Sequence, residues 1–441
     1  MLNITMQKLL ISLVFAPIPV LINPGILSAQ TTIYFQDAGL ESSVKEVLNI
    51  PQNQSLTLAD LAKVKILNAQ SKKIKSLVGM EKLVNLTNVN LSFNQITDLQ
   101  PLNNLTNLQE LELNYNKINN VQPLSNLTNL QGLYLNKNQI NDIQSLGTLK
   151  NLSRLNLGNN KIGEIKVLGK LKNLTELSLS NNRVNDLYVL ANLGNLTALN
   201  LHNNRLSNIN SLSSLTNLKR LDLSQNNITD LKPIGSLNNL VALSLSYNKI
   251  SDIVALSYIP QLKELWLTNN QISDIQPLAS LINLTKLNLS NNQIKNLTNL
   301  EKLTNLQILN LSKNKITDIS SLAKLNKLTE LNLDNNQLIE IKSVAQLTNL
   351  AQLSLNKNQI SDLRPLTGLT NLNLLYLTNN RIRNISPLSN LTNLRELNLN
   401  NNQIMDVKYL VNLSQLSELK LEQNPIKNCA ILPERMRNSC L

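Results

Sequence analysis

Residues 105–126 read LTNLQELELNYNKINNVQPLSN, and variants of this 22-residue stretch follow one another from Leu61 to Glu434 without insertion or deletion. A single unit of this length cannot bury its own apolar side chains, so neighbouring units must stack into a solenoid. The 17 units therefore predict one elongated repeat domain over residues 61–434, where a chain of 441 residues would ordinarily form two or three compact domains.

Each unit contains the pattern of one short strand. When Leu83 is taken as position 1, positions 7 and 9 are apolar and flank a single polar residue, which is typical of a strand with one buried face. Because all units share one register, the strands should pair in parallel, about 4.8 Å apart. Positions 14, 17 and 20 are also apolar and should close each coil through short 3₁₀ or extended segments on the convex face. The predicted fold is an α/β solenoid, a right-handed superhelix with one curved parallel sheet on its concave face.

Position 12 is asparagine in all sixteen units that follow Leu83. It lies at the sharp turn after the strand, where backbone groups lack regular partners, so we expect each amide to bond those groups. The predicted buried ladder consists of Asn94, Asn116, Asn138, Asn160, Asn182, Asn204, Asn226, Asn248, Asn270, Asn292, Asn314, Asn336, Asn358, Asn380, Asn402 and Asn424. Position 16 is Asp, Glu or Asn, which predicts a cap for the next turn. A calcium site is the weaker interpretation, because Asn is a poor ligand for a hard cation.

Residues 1–29 resemble a secretory signal peptide. Lys8 precedes an apolar run from Leu9 to Ile22, and Leu27-Ser28-Ala29 offers a cleavage site. The run is shorter than the roughly 20 residues that span a bilayer, so no transmembrane segment is expected in the mature chain. The predicted location is secreted, periplasmic or at the cell surface, and cytoplasmic if this segment is not a signal.

Residues 30–60 are predicted to form a helical cap over the first coil. Leu40, Val44, Val47 and Leu48 lie on one side of a helix over residues 37–48. A second, short capped turn is indicated near residues 57–60.

Residues 425–441 are predicted to cap the other end. They hold the two cysteines of the chain, Cys429 and Cys440. In an exported protein these two side chains are expected to form a disulfide, and a buried free thiol is the alternative.

The consensus sequence of the unit, LTNLxxLxLxxNxIxDIxPL, resembles that of the internalin-type class of bacterial leucine-rich repeat proteins. Residues 37–60 are similar to the cap that precedes internalin arrays. The resemblance implies the solenoid fold and a binding function, and proteins of this class bind different proteins through different surface residues. Related repeats also resemble an enzyme-regulating subunit of eukaryotic phosphatases, so an intracellular regulatory scaffold is the alternative.

The chain offers little that could carry catalysis. His202 is the one histidine. Together with Ser224 and Asp222 on the next strand, it resembles a catalytic triad. Serine is common at that repeat position, and nothing in the sequence indicates an oxyanion hole. We therefore expect a protein that is not an enzyme, with no catalytic residue, no metal site and no cofactor.

Positions 11 and 13, just past the strand, carry ten basic and no acidic residues, beside a mostly acidic strand face. The predicted basic rim consists of Lys117, Lys137, Lys161, Arg183, Arg205, Lys249, Lys313, Lys315, Lys357 and Arg381. Nucleic acid prefers a continuous positive surface with stacking aromatic rings. The acidic strip beside the rim therefore argues against a nucleic-acid partner.

Aromatic residues concentrate at positions 8 and 11, which should both face the concave side. Leu and Ile fill the core positions, and exposed aromatics in a concavity are typical of interface hot spots, although they can also be fillers that favour strands. The predicted partner-binding residues are Phe93, Tyr115, Tyr134, Tyr247, Trp266, Leu374 and Tyr376. The first three are expected to form one patch, Tyr247 and Trp266 a second, and Leu374 should share a strand face with Tyr376.

The sequence thus predicts a monomer that recognises a macromolecular partner through its concave sheet, with protein as the favoured partner. A glycan-binding or envelope structural protein is a further alternative, because Trp266 and the tyrosines can stack on sugars.

Overall fold

The computed structural model describes residues 33–437, and these form one continuous solenoid. Seventeen three-residue strands, one from each unit, lie side by side in a single parallel sheet and follow chain order. They are β1 (Ile66–Asn68), β2 (Asn88–Asn90), β3 (Glu110–Glu112), β4 (Gly132–Tyr134), β5 (Arg154–Asn156), β6 (Glu176–Ser178), β7 (Ala198–Asn200), β8 (Arg220–Asp222), β9 (Ala242–Ser244), β10 (Glu264–Trp266), β11 (Lys286–Asn288), β12 (Ile308–Asn310), β13 (Glu330–Asn332), β14 (Gln352–Ser354), β15 (Leu374–Tyr376), β16 (Glu396–Asn398) and β17 (Glu418–Lys420). The predicted fold class is confirmed.

The register of the sheet follows directly from the constant repeat length. Leu111 of β3 lies opposite Val89 of β2 on one side and Leu133 of β4 on the other. Every strand therefore turns position 7 into the core, while positions 6 and 8 face out of the concave side.

Short 3₁₀ helices form the return path behind the sheet, because 22 residues leave no room for longer helices. They span Met80–Lys82, Gln100–Leu102, Gln122–Asn126, Gln144–Thr148, Lys166–Lys170, Tyr188–Asn192, Asn210–Ser214, Lys232–Ser236, Val254–Tyr258, Gln276–Ser280, Leu300–Lys302, Ser320–Lys324, Lys342–Gln346, Arg364–Leu366, Ser386–Leu388 and Lys408–Leu410. Between sheet and return path lies the core, where the repeated Leu and Ile side chains are almost completely buried. Each such side chain contributes about 1.5–3 kcal/mol through burial, so the stabilising apolar surface is spread over the whole rod.

Two helices cover the first coil. Helix α1 (Ala38–Leu48) begins at Asp37, whose carboxylate accepts the N–H of Gly39 at 3.0 Å. Helix α2 (Leu58–Leu61) begins with a reciprocal capping box between Thr57 and Asp60.

The buried face of α1 is narrower than the sequence predicted. Leu40 and Val44 are buried, whereas Val47 is 44% exposed and Leu48 is only partly buried. The difference arises because Val47 lies in the last turn of the helix, just before Asn49 turns the chain away in a left-handed conformation.

At the far end, helix α3 (Glu434–Arg437) places Met436 against the last coil together with Leu432. Cys429 is partly buried there, and Cys440 lies outside the described residues, so the disulfide stays a prediction. The predicted signal segment, residues 1–29, also lies outside them. Among residues 33–437, no helix has both the length and the apolar character needed to cross a bilayer.

Candidate functional site

The site is built on a frame of asparagine side chains at position 12. Asn226 is representative: its Oδ1 accepts the N–H of Leu206 at 3.1 Å, and its Nδ2 donates to the carbonyls of Leu201 and Leu223, both at 3.0 Å. Two of these three partners belong to the preceding coil. The other fifteen predicted ladder asparagines make the same bonds, so the amides tie each coil to its neighbour and fix the turn at the carboxyl end of every strand.

Position 16 accepts the N–H two residues further along in fifteen of the sixteen coils from Leu83 onward, Glu340 being the exception. Asp98 accepts the N–H of Gln100 at 2.9 Å, and Asn120 accepts the N–H of Gln122 at the same distance. Because aspartate and asparagine make the same bond, the acidic residues at this position need no metal ion to explain them.

Position 11, immediately before the ladder, has an unusual backbone. In all sixteen coils it adopts a left-handed conformation, with φ between 50° and 60°. Asparagine tolerates this conformation and occupies half of the sixteen positions, whereas a bulky side chain is strained there. Phe93, Tyr115 and Tyr247 are nevertheless found at this position and are exposed.

These three aromatic residues were predicted to face the concave side, but they do not lie on the strands of the sheet. They lie in the turn at its carboxyl edge, because the strands end at position 8. The rings of Phe93 and Tyr115 stack with centroids 4.2 Å apart, and the ammonium group of Lys137 lies 4.7 Å from the centroid of Tyr115. Phe93, Tyr115 and Lys137 come from three consecutive coils and form a stack that covers both faces of Tyr115. We call these three side chains the aromatic stack.

Tyr134, which was predicted to join this patch, makes no ring stack with Phe93 or Tyr115 among the described residues and lines a groove on the concave face. The groove has a volume of about 380 Å³ and runs across the sheet from Tyr134 on β4 to Trp266 on β10. Six strand steps separate these two rings, so the groove extends for roughly 29 Å. Between the rings the groove is lined by the small side chains of Ser178, Ala198, Ala242 and Ser244, and in its middle by Arg220 and Asp222 of β8.

A cluster of polar side chains closes the first end of the groove. Arg154 donates from Nε to the hydroxyl of Tyr134 at 2.9 Å, and its guanidinium also pairs with Glu110, two strands away. Glu110 reaches Arg154 across Gly132, where an added Cβ atom would collide with the glutamate carboxylate. The hydrogen bond with Tyr134 and the neighbouring Glu110 carboxylate raise the pKa of Arg154 above its ordinary value. This pre-ordered end was missed in the sequence, although glycine between two charged strand positions was a usable signal.

The other predicted contact residues are spread further along the sheet. Trp266 forms the second end of the groove, and Tyr247 is exposed at the carboxyl edge of the neighbouring coil. Leu374 and Tyr376 lie on β15, where the Tyr376 hydroxyl donates to Glu396 at 2.9 Å. Partial burial and this carboxylate raise the pKa of Tyr376 to about 12.

All ten residues of the predicted basic rim are exposed, at the same edge of the sheet as the aromatic stack. Within residues 33–437, none of the ten takes part in a salt bridge.

The triad-like residues have the wrong order for catalysis. The Ser224 hydroxyl donates to Asp222, so it must accept from His202 Nδ1, which lies 2.7 Å away. In a catalytic triad the imidazole stands between serine and carboxylate, and takes the serine proton. Here the serine stands in the middle, and its proton already points at the carboxylate. In the described part of the chain, no group of three or more His, Cys, Asp or Glu could hold a metal ion.

Family comparison agrees with this architecture. A model described as leucine-rich repeats in two copies matches residues 84–126, 128–170, 216–258, 260–302, 304–346 and 348–390, and a single-repeat model matches residues 390–407. The chain therefore belongs to the leucine-rich-repeat family. A comparison with curated protein sequences finds no match.

Several solved structures are similar to the solenoid. A leucine-rich-repeat protein from Leptospira interrogans shares 32% identity at a TM-score of 0.77, and the match covers 83% of this chain and 98% of that one. The internalin InlF from Listeria monocytogenes shares 32% identity at a TM-score of 0.50, with 87% and 95% covered. The plant peptide hormone receptor RGFR1, solved in complex with RGF2, shares 25% identity at a TM-score of 0.65, with 82% and 65% covered. The resemblance to internalins predicted from the sequence is confirmed.

Proposed function

We propose that this chain is a non-enzymatic binding protein that recognises a protein partner through its concave face. The observation that carries the proposal is the groove between Tyr134 and Trp266. It has aromatic side chains at both ends, small side chains along its floor and a pre-ordered arginine at one end. Aromatic anchors around a pocket are typical of the few residues that dominate binding energy in an interface.

The shape of the groove favours an extended segment of a partner protein. A length of roughly 29 Å accommodates about nine residues of extended chain. The similar plant receptor, solved with a peptide hormone, gives a precedent for peptide recognition on this fold. The aromatic stack at the edge of the sheet adds a second contact area near the Tyr134 end of the groove, and the exposed rim would steer an acidic partner towards it.

Two further parts of the proposal concern chemistry and location. The order of His202, Ser224 and Asp222 supports a protein without hydrolytic activity. The signal-like residues 1–29 support export to a secreted, periplasmic or cell-surface location. The exported protein is proposed to act as a monomer.

The test compares two pairs of aromatic residues on opposite sides of the rod. The native partner is first captured with the wild-type protein and identified, and its affinity is then measured for each variant. Tyr134→Ala with Trp266→Ala should weaken binding by about tenfold or more, because truncating a hot spot costs about 2 kcal/mol. Tyr188→Ala with Tyr258→Ala, on the exposed return segments, should leave affinity within about twofold.

Both double variants should keep the wild-type unfolding midpoint, since none of the four side chains belongs to the core. Equal affinity of the groove variant and the wild type for the partner would refute the proposed function.

A further inference from the structure

A row of cations without salt bridges among the described residues runs along the carboxyl edge of the sheet. Lys117, Lys137, Lys161, Arg183 and Arg205 come from five consecutive coils, and all five are exposed. Neighbouring coils are about 4.8 Å apart, so the row extends for roughly 20 Å. Within residues 33–437 these five form no salt bridge, although nine other cations do. The row, which we call the cationic edge, is therefore a strip of available positive charge.

The acidic groups beside the cationic edge are mostly engaged elsewhere. On the strand side, Glu110 pairs with Arg154, whereas Glu112 and Glu176 form no salt bridge among the described residues. On the return side, the position-16 carboxylates accept backbone N–H groups two residues further along, each at 2.9 Å: Asp142 from Gln144, Glu164 from Lys166 and Asp186 from Tyr188. These bonds direct the carboxylates towards the return segments and leave the cations to interact with a ligand.

The row has the geometry of a site for a linear polymer. Each of the five consecutive coils contributes one cation, at position 13 in four of them and at position 11 for Lys137, and three of the same coils place Asn159, Asn181 and Asn203 at position 11 beside the row. Carboxamides pair with hydroxyl groups, and Lys and Arg pair with sulfates or carboxylates. A polymer that carries both hydroxyl and anionic groups therefore matches the whole row.

Nucleic acid fits this edge poorly. Single strands are held by bases that stack on free aromatic faces. At the start of the row, however, Phe93 and Lys137 cover the two faces of Tyr115. The nearest aromatic residue therefore offers only ring edges.

We propose that the cationic edge binds a linear anionic polysaccharide, whose sulfate or carboxylate groups contact the five cations. This site is separate from the groove and does not depend on the partner that the groove recognises.

The test uses heparin dodecasaccharide as the probe and two triple variants that remove the same charge. Lys161→Gln, Arg183→Gln and Arg205→Gln interrupt the consecutive row. Lys313→Gln, Lys315→Gln and Lys357→Gln remove three rim cations that come from two non-adjacent coils.

The wild-type protein should bind heparin with an affinity that falls steeply between about 50 and about 200 mM salt, because bound counterions are released. The first triple variant should bind about tenfold more weakly and with a shallower salt dependence, whereas the second should stay within about twofold of wild type.

Three results would overturn the proposal: no binding of heparin by the wild type, equal losses in both triple variants, or tighter binding of duplex DNA than of heparin. The groove variant Tyr134→Ala with Trp266→Ala serves as an independent control. It should bind heparin like the wild type, so a failure of the groove proposal and a failure of this one give different results.

Discussion

Positions 11 and 12 of the repeat are neighbours in every coil and behave in opposite ways. Position 12 is asparagine in all sixteen units from Leu83 onward, is buried or half-buried and bonds backbone groups of two coils, as Asn226 does with Leu206 and Leu223. Position 11 is variable and has a strained left-handed backbone. The fold thus requires one residue type at position 12 and tolerates several at the adjacent position 11.

The contrast indicates which repeat positions can determine the choice of binding partner. A ladder residue cannot vary without leaving backbone groups unsatisfied in two coils. Position 11 carries residues of four kinds, namely asparagine, glutamine, lysine and the aromatics Phe93, Tyr115 and Tyr247. The aromatics occupy it against the backbone preference, and strained residues that persist on a surface tend to be functional.

The largest expected effect is on the ladder. Asn226→Ala should lower the free energy of unfolding by about 1–3 kcal/mol, because the Leu206 N–H and two carbonyls lose their partner in a buried turn. Urea denaturation monitored by circular dichroism measures this change. As a control, Gln225→Asn at the preceding residue should cause no loss; a similar loss in both variants would break the distinction between the two positions.

The second prediction is an increase in the free energy of unfolding. Tyr247→Asn should raise the free energy of unfolding by up to about 1 kcal/mol, because asparagine relieves the left-handed strain and no ring contact of Tyr247 is lost in the described residues. The reverse change in the next coil, Asn269→Tyr, should lower stability by a similar amount. Denaturation midpoints of both variants check the pair, and a destabilised Tyr247→Asn would show that this ring supports the fold.

A smaller effect concerns the ordered end of the groove. Gly132→Ala should displace Glu110 from Arg154, because the new Cβ atom would collide with the glutamate side chain. The Arg154 Nη2–H groups, which pair with Glu110, should then exchange faster with water, which side-chain NMR detects. Gly194→Ala is the matched control, since an added Cβ there meets no atom within 4 Å. Unchanged exchange in Gly132→Ala would mean that Glu110 does not order this end.

The smallest effect is a dependence of stability on alkaline pH. The pKa of Tyr376 is about 12 in the folded protein, above the ordinary value of 10.0, so the folded state holds this proton more tightly than the unfolded chain. Its contribution to stability is complete below pH 10 and is lost as the pH rises towards about 12. Ultraviolet titration should show one late-ionising tyrosine, which Tyr376→Phe removes; an unaltered titration curve in that variant would contradict the assignment.

Sequence periodicity was sufficient to predict the architecture. The constant length of 22 residues imposes one register, and the Leu and Ile positions define the core, so the parallel sheet and the 3₁₀ return path followed directly. The helix over residues 37–48 and the capped turn near residues 57–60 were also visible in the sequence, although Val47 was wrongly assigned to the buried face of α1.

Side-chain groupings on the surface could not be read from the same pattern. Tyr115 and Tyr134 come from consecutive coils, but one lies in a turn beyond the strand and the other on the strand itself. Their separation depends on where the strand ends, which a repeat pattern fixes only to within a residue or two. The groove was missed because it depends on small residues, which carry no conspicuous sequence signal. These residues are Ser178, Ala198, Ala242 and Ser244.

The central claim is that the partner lies in the groove, and site-specific photo-cross-linking tests it most directly. A photoreactive amino acid replaces Ser244 on the groove floor in one variant and the exposed Tyr258 on the return side in another. Irradiation of each variant with the native partner is followed by mass spectrometry. The account predicts cross-links to the partner from position 244 and none from position 258. Cross-links from position 258 alone would contradict it, because the partner would then occupy the opposite side of the solenoid.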